Sequence, residues 1–235
     1  MKSHLLVVTG ILCISNYVLS MVPATYLSLH ANVSVLASSQ DGRYLVAGCS
    51  DGRVLIVDIY GKDQDSNFIV RPLTQVKSSV TAITCGTYIV IGCVSGDVYV
   101  FDYDQKLISS FHAHDGSIGI LANDESWVAV TTLDNQVQVF DLNRPNIEDN
   151  PYCLCTLQSS LVIRAIALNH SRELLVYSDG CNIAVYDTQN KSMVTLNISN
   201  KQITSCCLND TILWVSACDG YLRALDIISG KQINN

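Results

Sequence analysis

Positive charge is scarce in this chain. Its 235 residues include 14 Lys and Arg against 21 Asp and Glu, a formal net charge of −7. No stretch gathers the basic residues into a run. Nucleic-acid binding rests on phosphate neutralisation by such residues, so nucleic acid is not expected as a partner. Long apolar runs are missing too. The most apolar stretch, Leu5 to Ile14, has ten residues and is broken by Thr9 and Gly10. A helix needs about 20 to cross a ~30 Å hydrocarbon layer, so no transmembrane span is expected. Charged residues make up only 15% and aromatic ones 7%. Disorder is therefore excluded, and the apolar half of the chain is mainly Val, Ile, Leu and Ala, a mixture that favours strands.

Chemical motifs are equally sparse. No glycine-rich phosphate loop follows a strand and opens a helix. No C-x-x-C pair occurs among the ten cysteines, and no Ser, His and Asp set can be argued from order alone. His112 and His114 form an H-x-H that would place both rings on one face of a strand, yet no carboxylate or thiol stands at a reinforcing spacing. "DQDSN", Asp63 to Asn67, starts like a calcium loop but lacks the later glycine and glutamate. Cys153 and Cys155 alternate onto one strand face, and they and the Cys206-Cys207 pair are no C-x-x-C motif and read as buried thiols or a chance pair. Trp127 and Trp214 fall in matching strands and read as core. No catalysis, metal or cofactor is expected.

The first twenty residues have the layout of a secretory signal: Lys2, a short apolar region, polar Ser15 and Asn16, then Val18-Leu19-Ser20. The organisation expected is a signal over 1–20 and a repeat domain over 21–235, with the alternative that "HLLVVTG" is a strand. Secretion follows from the first reading and a cytoplasmic location from the second. Sequons at Asn32, Asn169, Asn190, Asn197 and Asn209 are candidate glycosylation sites for a secreted chain. Removal of Cys13 with the signal would leave an odd number of cysteines, which suits free thiols. Cys49 and Cys93, at equivalent places in two repeats, suit packing.

What is present is repetition. "DGRVLIVDIYG", "SGDVYVFDYDQ", "LDNQVQVFDLN", "DGCNIAVYDTQ" and "DGYLRALDIIS" each run from a turn through alternating apolar residues to an aspartate: Asp58, Asp102, Asp141, Asp187 and Asp226. The aspartates lie 44, 39, 46 and 39 residues apart, and such a period signals radial repetition. Two strand-like runs precede each copy and a fourth follows most, giving four antiparallel strands per unit. The expected fold is all-β, a propeller of about five blades. The fifth copy has no evident outer strand, and Thr25 to Leu29 could supply it and close the ring. A truncated seven-bladed array is the alternative.

"SQDGRYLVAGCSDGRVLIVDI", Ser39 to Ile59, resembles a WD-repeat, with Val57-Asp58 in place of Trp-Asp. "FHAHDGSI" resembles its Gly-His element, with Ala113-His114 standing there. No copy carries a literal Trp-Asp, so the family's hydrogen-bonded tetrad would be complete in no blade. "DGYLRALDIISGK" is similar to quinoprotein-type repeats, but the Trp that ends theirs is missing. The WD-repeat resemblance implies a non-catalytic scaffold that binds other proteins, with loops 61–67 and 143–150 as candidate contacts. The second resemblance implies an extracytoplasmic enzyme or ligand-binding ring, and a piece of a larger intracellular propeller is a third possibility.

Overall fold

Short apolar runs punctuated by Gly, Asp, Asn and Ser are marginal as lone hairpins and become stable when several pair and bury a face. The computed structural model describes residues 32–62, 68–145, 151–229 and 231–233. Among these, every helix or strand element is a strand, and the strands form five four-stranded antiparallel sheets. The first holds β1 (Val33–Ser38), β2 (Tyr44–Cys49), β3 (Arg53–Lys62) and β4 (Phe68–Gln75). The second holds β5 (Val80–Cys85), β6 (Ile89–Cys93), β7 (Asp97–Phe101) and β8 (Leu107–His112). The third holds β9 (Ile118–Asp124), β10 (Trp127–Thr132), β11 (Gln136–Pro145) and β12 (Pro151–Gln158). The fourth holds β13 (Ile166–Asn169), β14 (Leu174–Asp179), β15 (Asn182–Asp187) and β16 (Ser192–Asn197). The fifth holds β17 (Ile203–Asn209), β18 (Ile212–Ala217), β19 (Leu222–Asp226) and β20 (Lys231–Gln232). Each sheet is a blade whose strands pair only with their neighbours in sequence.

Equivalent residues build each blade-to-blade seam. Val46, Val54 and Ile56 of the first blade meet Ile89, Ile91 and Phe101 of the second. Val90, Val98 and Val100 then meet Val128, Val130 and Phe140. Ala129, Val137 and Val139 meet Leu175, Tyr177 and Ala184, and Val176 and Ile183 meet Ile203, Leu213 and Val215. Each fully buried Val or Ile contributes about 1.5–3 kcal/mol, so the seams hold the array together. This is why the second strands are apolar on both faces.

The fifth blade departs from the pattern. In it Trp214 pairs with Ala224 and Ser216 with Leu222, as Val46 pairs with Ile56 and Gly48 with Val54 in the first. Yet Trp214 is 43% and Leu222 66% exposed, where Val46 and Val54 are 0%. Among the described residues no core cluster joins the fifth blade to the first. Two expectations are corrected here. Trp214 is not core, because alternation points it away from Leu213 and Val215, which pack on the fourth blade. Nor is the fifth outer strand missing: Lys231 pairs with Asp226 and Gln232 with Leu225, and the Ile233 N–H donates to the Ala224 carbonyl at 2.8 Å. The signal over 1–20 and the closing strand Thr25 to Leu29 lie outside the described residues.

Two local irregularities also differ from the pattern reading. "VIRAIAL" suggests a strand from Val162, but β13 begins at Ile166. The Ser178 hydroxyl accepts the Arg164 and Ala165 N–H groups at 2.9 and 3.1 Å, replacing the ladder there. Cys153 and Cys155 do not share a face. Val139 pairs with Cys155 but Phe140 with Cys153, so Leu154 is an extra residue and the strand bulges. Cys153 packs towards the second blade and Cys155 towards the fourth.

Candidate interaction face

The repeat aspartates lie in or just after the third strands, Asp187 and Asp226 as the last residues of theirs, and each captures a downstream N–H. Asp58 accepts the Tyr60 and Gly61 N–H groups at 3.1 and 2.9 Å, and Asp102 accepts that of Lys106 at 2.8 Å. Asp141, which is buried, accepts the Asn143 N–H at 3.0 Å and the Ser126 hydroxyl at 3.2 Å. Asp187 and Asp226 accept the Asn190 and Ile228 N–H groups at 2.8 and 2.9 Å. Short carboxylates that capture a nearby downstream N–H are turn formers.

The opposite end of each blade carries the corner between its second and third strands and the link arriving from the previous blade. An acid in the corner is gripped by the link, always from twenty residues upstream. His114 Nε2 lies 3.2 Å from Asp134 Oδ2, the Ser159 hydroxyl donates to Asp179 at 2.7 Å, and that of Ser199 donates to Asp219 at 2.6 Å. A second rule runs at a spacing of twenty-four: the Gln75 and Gln158 amides donate to the carbonyls of Asp51 and Asp134, both at 2.8 Å. The Arg223 guanidinium, then the Ser199 hydroxyl, hold the Asp219 carboxyl well below the usual carboxylate range. The Thr132 hydroxyl is the largest influence lowering Asp134.

The backbone of the corners is equally constrained. Gly52, Gly96, Asn135, Gly180 and Gly220 all have positive φ, from 66° to 86°, a region L-residues other than Asn and Asp visit at a cost. Gly96 additionally sits beneath the link, where a Cβ would overlap the His114 carbonyl oxygen. On these corners and the links beside them stand large apolar side chains. Leu133 is 75% exposed, and Val94, Leu161, Val162 and Tyr221 are each about half exposed or more. Residues 48–52 spell G-x-S-x-G, but Ser50 lies in a strand-to-strand turn, so the strained elbow that opens a helix is not formed.

The remaining sequence candidates fall as follows. His112 ends β8 and its ring nitrogens lie 2.9 Å from Asp97 and 3.2 Å from Asp115, while His114 lies in the link. The H-x-H therefore does not share a face, because the strand ends between the two. Among the described residues no group of three His, Cys, Asp or Glu side chains is placed to hold a metal. The nine described cysteines are free thiols, with Cys49, Cys85 and Cys93 buried and Cys207 and Cys218 exposed. Asn32, Asn190, Asn197 and Asn209 are exposed. Asn169 is buried. Its Nδ2 donates to the Asp210 carbonyl at 3.1 Å, and its Oδ1 accepts from Ser171 and Arg172, both at 2.9 Å. Of the candidate contact loops, 63–67 (including the calcium-like string) and 146–150 lie outside the described residues.

Five successive four-stranded antiparallel blades, three of them with the corner acid held from the link, define the fold as a β-propeller. A profile for the WD domain, G-beta repeat, matches residues 22–58. The structure is similar to a chain in the Mitotic Checkpoint Complex, with a TM-score of 0.67 at 14% identity over 86% of this chain. This chain spans only 62% of the length of that one. It is also similar to the β-propeller domain of Myceliophteria thermophila Cps50 (Swd1), with a TM-score of 0.62 at 16% identity over 86% of both chains. The computationally designed Ika8 protein matches with a TM-score of 0.60 at 19% identity, over 86% of this chain and 73% of that one. No curated protein sequence matches significantly. Identities this low speak to fold alone, and 1610 solved chains match significantly, so function must be argued from the surface.

Proposed function

We propose that the chain is a non-catalytic scaffold that docks a partner protein on the corner face around Val94, Leu133, Leu161 and Val162. The observation that carries this reading is Leu133. It projects into solvent from a turn fixed by its own N–H to the Ser117 carbonyl at 3.2 Å and by the Asp134 contacts on either side. Rigid apolar anchors surrounded by polar groups are what interface centres are made of. WD-repeat propellers commonly serve in this way, which supports the reading by analogy.

The test is cross-linking of the full chain to its cellular partners, with cross-linked peptides mapped. Leu133→Glu with Val162→Glu abolishes the dominant cross-linked protein, whereas Val70→Glu, an exposed change on the outer strand β4, leaves it. Equal capture by all three proteins overturns the assignment of this face. The reading extends to residues 1–20 as a secretory signal: protein from a eukaryotic host then starts near Met21, and a start at Met1 places the partner inside the cell.

A further inference from the structure

The seam between the first and second blades opens at the other end of the molecule, away from the corner face. There Arg43, Tyr44, Asp58, Arg71, Tyr103 and Asp104 line a cavity of about 210 Å³. The cavity is built and braced. The Tyr103 hydroxyl donates to the Gly86 carbonyl at 2.9 Å, and its ring stacks on Tyr44 at 5.5 Å with 23° between the planes. The Arg43 guanidinium sits 5.0 Å over the Tyr44 ring and donates to Asp58 at 3.1 Å. Asp58 is in turn held by the Tyr60 and Gly61 N–H groups. Gln105 closes the rim with a left-handed φ of 69°.

Arg71 is the exception. It lies opposite Ile56 in the β3–β4 ladder and is exposed, and its guanidinium has no ion pair or hydrogen-bond partner among the described residues. Arg43 and Asp58 are committed to each other, so among these lining residues Arg71 is the one uncommitted guanidinium, with Asp104 the one uncommitted carboxylate and Ile56 and Ile69 supplying apolar lining. We infer that this cavity receives a single glutamate side chain of a partner peptide, its carboxylate taken in fork geometry by Arg71.

Three features select that ligand. The volume lies below the ~300 Å³ at which small-molecule and cofactor sites begin, which suits a side chain better than a whole cofactor. A guanidinium presents two parallel N–H groups that match a planar carboxylate. The four lining charges, Arg43, Arg71, Asp58 and Asp104, sum to zero, which suits a monoanion better than a dianionic phosphate beside two carboxylates. A cationic guest in an aromatic cage is disfavoured, since Arg43 covers one face of Tyr44 and Tyr103 stacks against the ring. The site is distinct from the corner face, and its test uses a short peptide, so either proposal can fail without the other.

The experiment follows the arginine Nε–Hε resonances of the full-length ¹⁵N-labelled chain during titration with acetyl-Ala-Glu-Ala-amide. The Arg71 signal, assigned by its absence from Arg71→Lys, moves saturably. The glutamine peptide binds at least tenfold more weakly, and so does the phosphoserine peptide. Arg71→Ala, an exposed change whose fold is checked by circular dichroism, leaves no saturable movement at the Arg43 resonance in the same cavity. The inference is overturned by no saturable movement, by tighter binding of the phosphoserine peptide, or by an equal response at Arg164, an exposed guanidinium far from this seam.

Discussion

Alanine at Gly96 and at Gly220 separates the grip on the corners from their backbone strain. The two glycines occupy equivalent turns with nearly identical φ, 83° and 81°, so the left-handed penalty of about 1–2 kcal/mol is common to both. What differs is the surroundings. A Cβ at Gly220 meets nothing within 4 Å, whereas at Gly96 it overlaps the His114 carbonyl and crowds that of Gly116. Relieving that overlap displaces the link. The Ala113 N–H bond to the Gly96 carbonyl at 3.0 Å is then lost, as are the His114 contacts with Asp134 and the Gly116 N–H. At about 0.5–1.5 kcal/mol for each hydrogen bond, Gly96→Ala costs about 2–4 kcal/mol more than Gly220→Ala. Urea unfolding followed by far-ultraviolet circular dichroism gives both values. In a domain of this size the gap corresponds to about 4–16 °C in Tm. Equal losses in the two variants would refute the claim that the link grips the corner.

The two tryptophans make a second contrast. Trp127 is buried and meets His170 edge-on at 5.0 Å, so Trp127→Ala costs about 3–5 kcal/mol, while Trp214→Ala costs about 1 kcal/mol or less. Acrylamide quenches the emission that remains in Trp127→Ala and spares most of that in Trp214→Ala. Among the thiols, burial pushes Cys85 and Cys206 up to about 12 and Cys93 and Cys155 up to about 11. Ellman's reagent at pH about 8 therefore labels Cys207 and Cys218 first and reaches Cys85 and Cys93 only on unfolding, as peptide mapping can establish. Asp97 first, then Asp115, raises the His112 pKa by hydrogen bonding. A group whose pKa is raised on folding stabilises fully below its unfolded value of about 6.5 and loses that contribution as pH rises through the folded value. The Tm of wild type minus that of His112→Gln is then largest near pH about 5.5 and closes towards pH about 9. A gap that widens with pH rejects the pairing.

Repetition made most of the fold legible. A motif that must bury the same face in every copy leaves the same alternation in every copy, so Val46, Val90 and Val176 announce their seams without reference to distant residues. The same logic singled out His114, because Ala113-His114 occupies the position of a familiar polar element. It passed over Ser159 and Ser199, which perform that role with a hydroxyl. Their signal was present as the constant twenty-residue interval to an acid, but serines are too common for composition to flag two of them. Cys153 and Cys155 were misplaced for a different reason: a bulge depends on the neighbouring strand's register, which alternation within one strand does not encode.

Sites escape a repeat-based reading because they arise where copies stop being equivalent. Trp214 stands in a slot that Val46 and Val90 fill, and its pattern is indistinguishable from theirs. Only the lack of a neighbouring seam among the described residues leaves it in solvent. Arg43 and Tyr103 are sixty positions apart, in different blades, and nothing local to either predicts that one cavity will hold both. Arg71 sits on an outer strand, where polar residues are ordinary and carry no message. Its meaning comes from what surrounds it: a braced aromatic pair, a neutralised aspartate and an apolar floor. The period therefore reveals where each residue points, and departures from the period reveal what the molecule can bind. Leu133 and Arg71 are two such departures at opposite ends of the fold, one an apolar residue in a turn and the other a guanidinium with no ion pair among the described residues, and each specifies a different kind of contact.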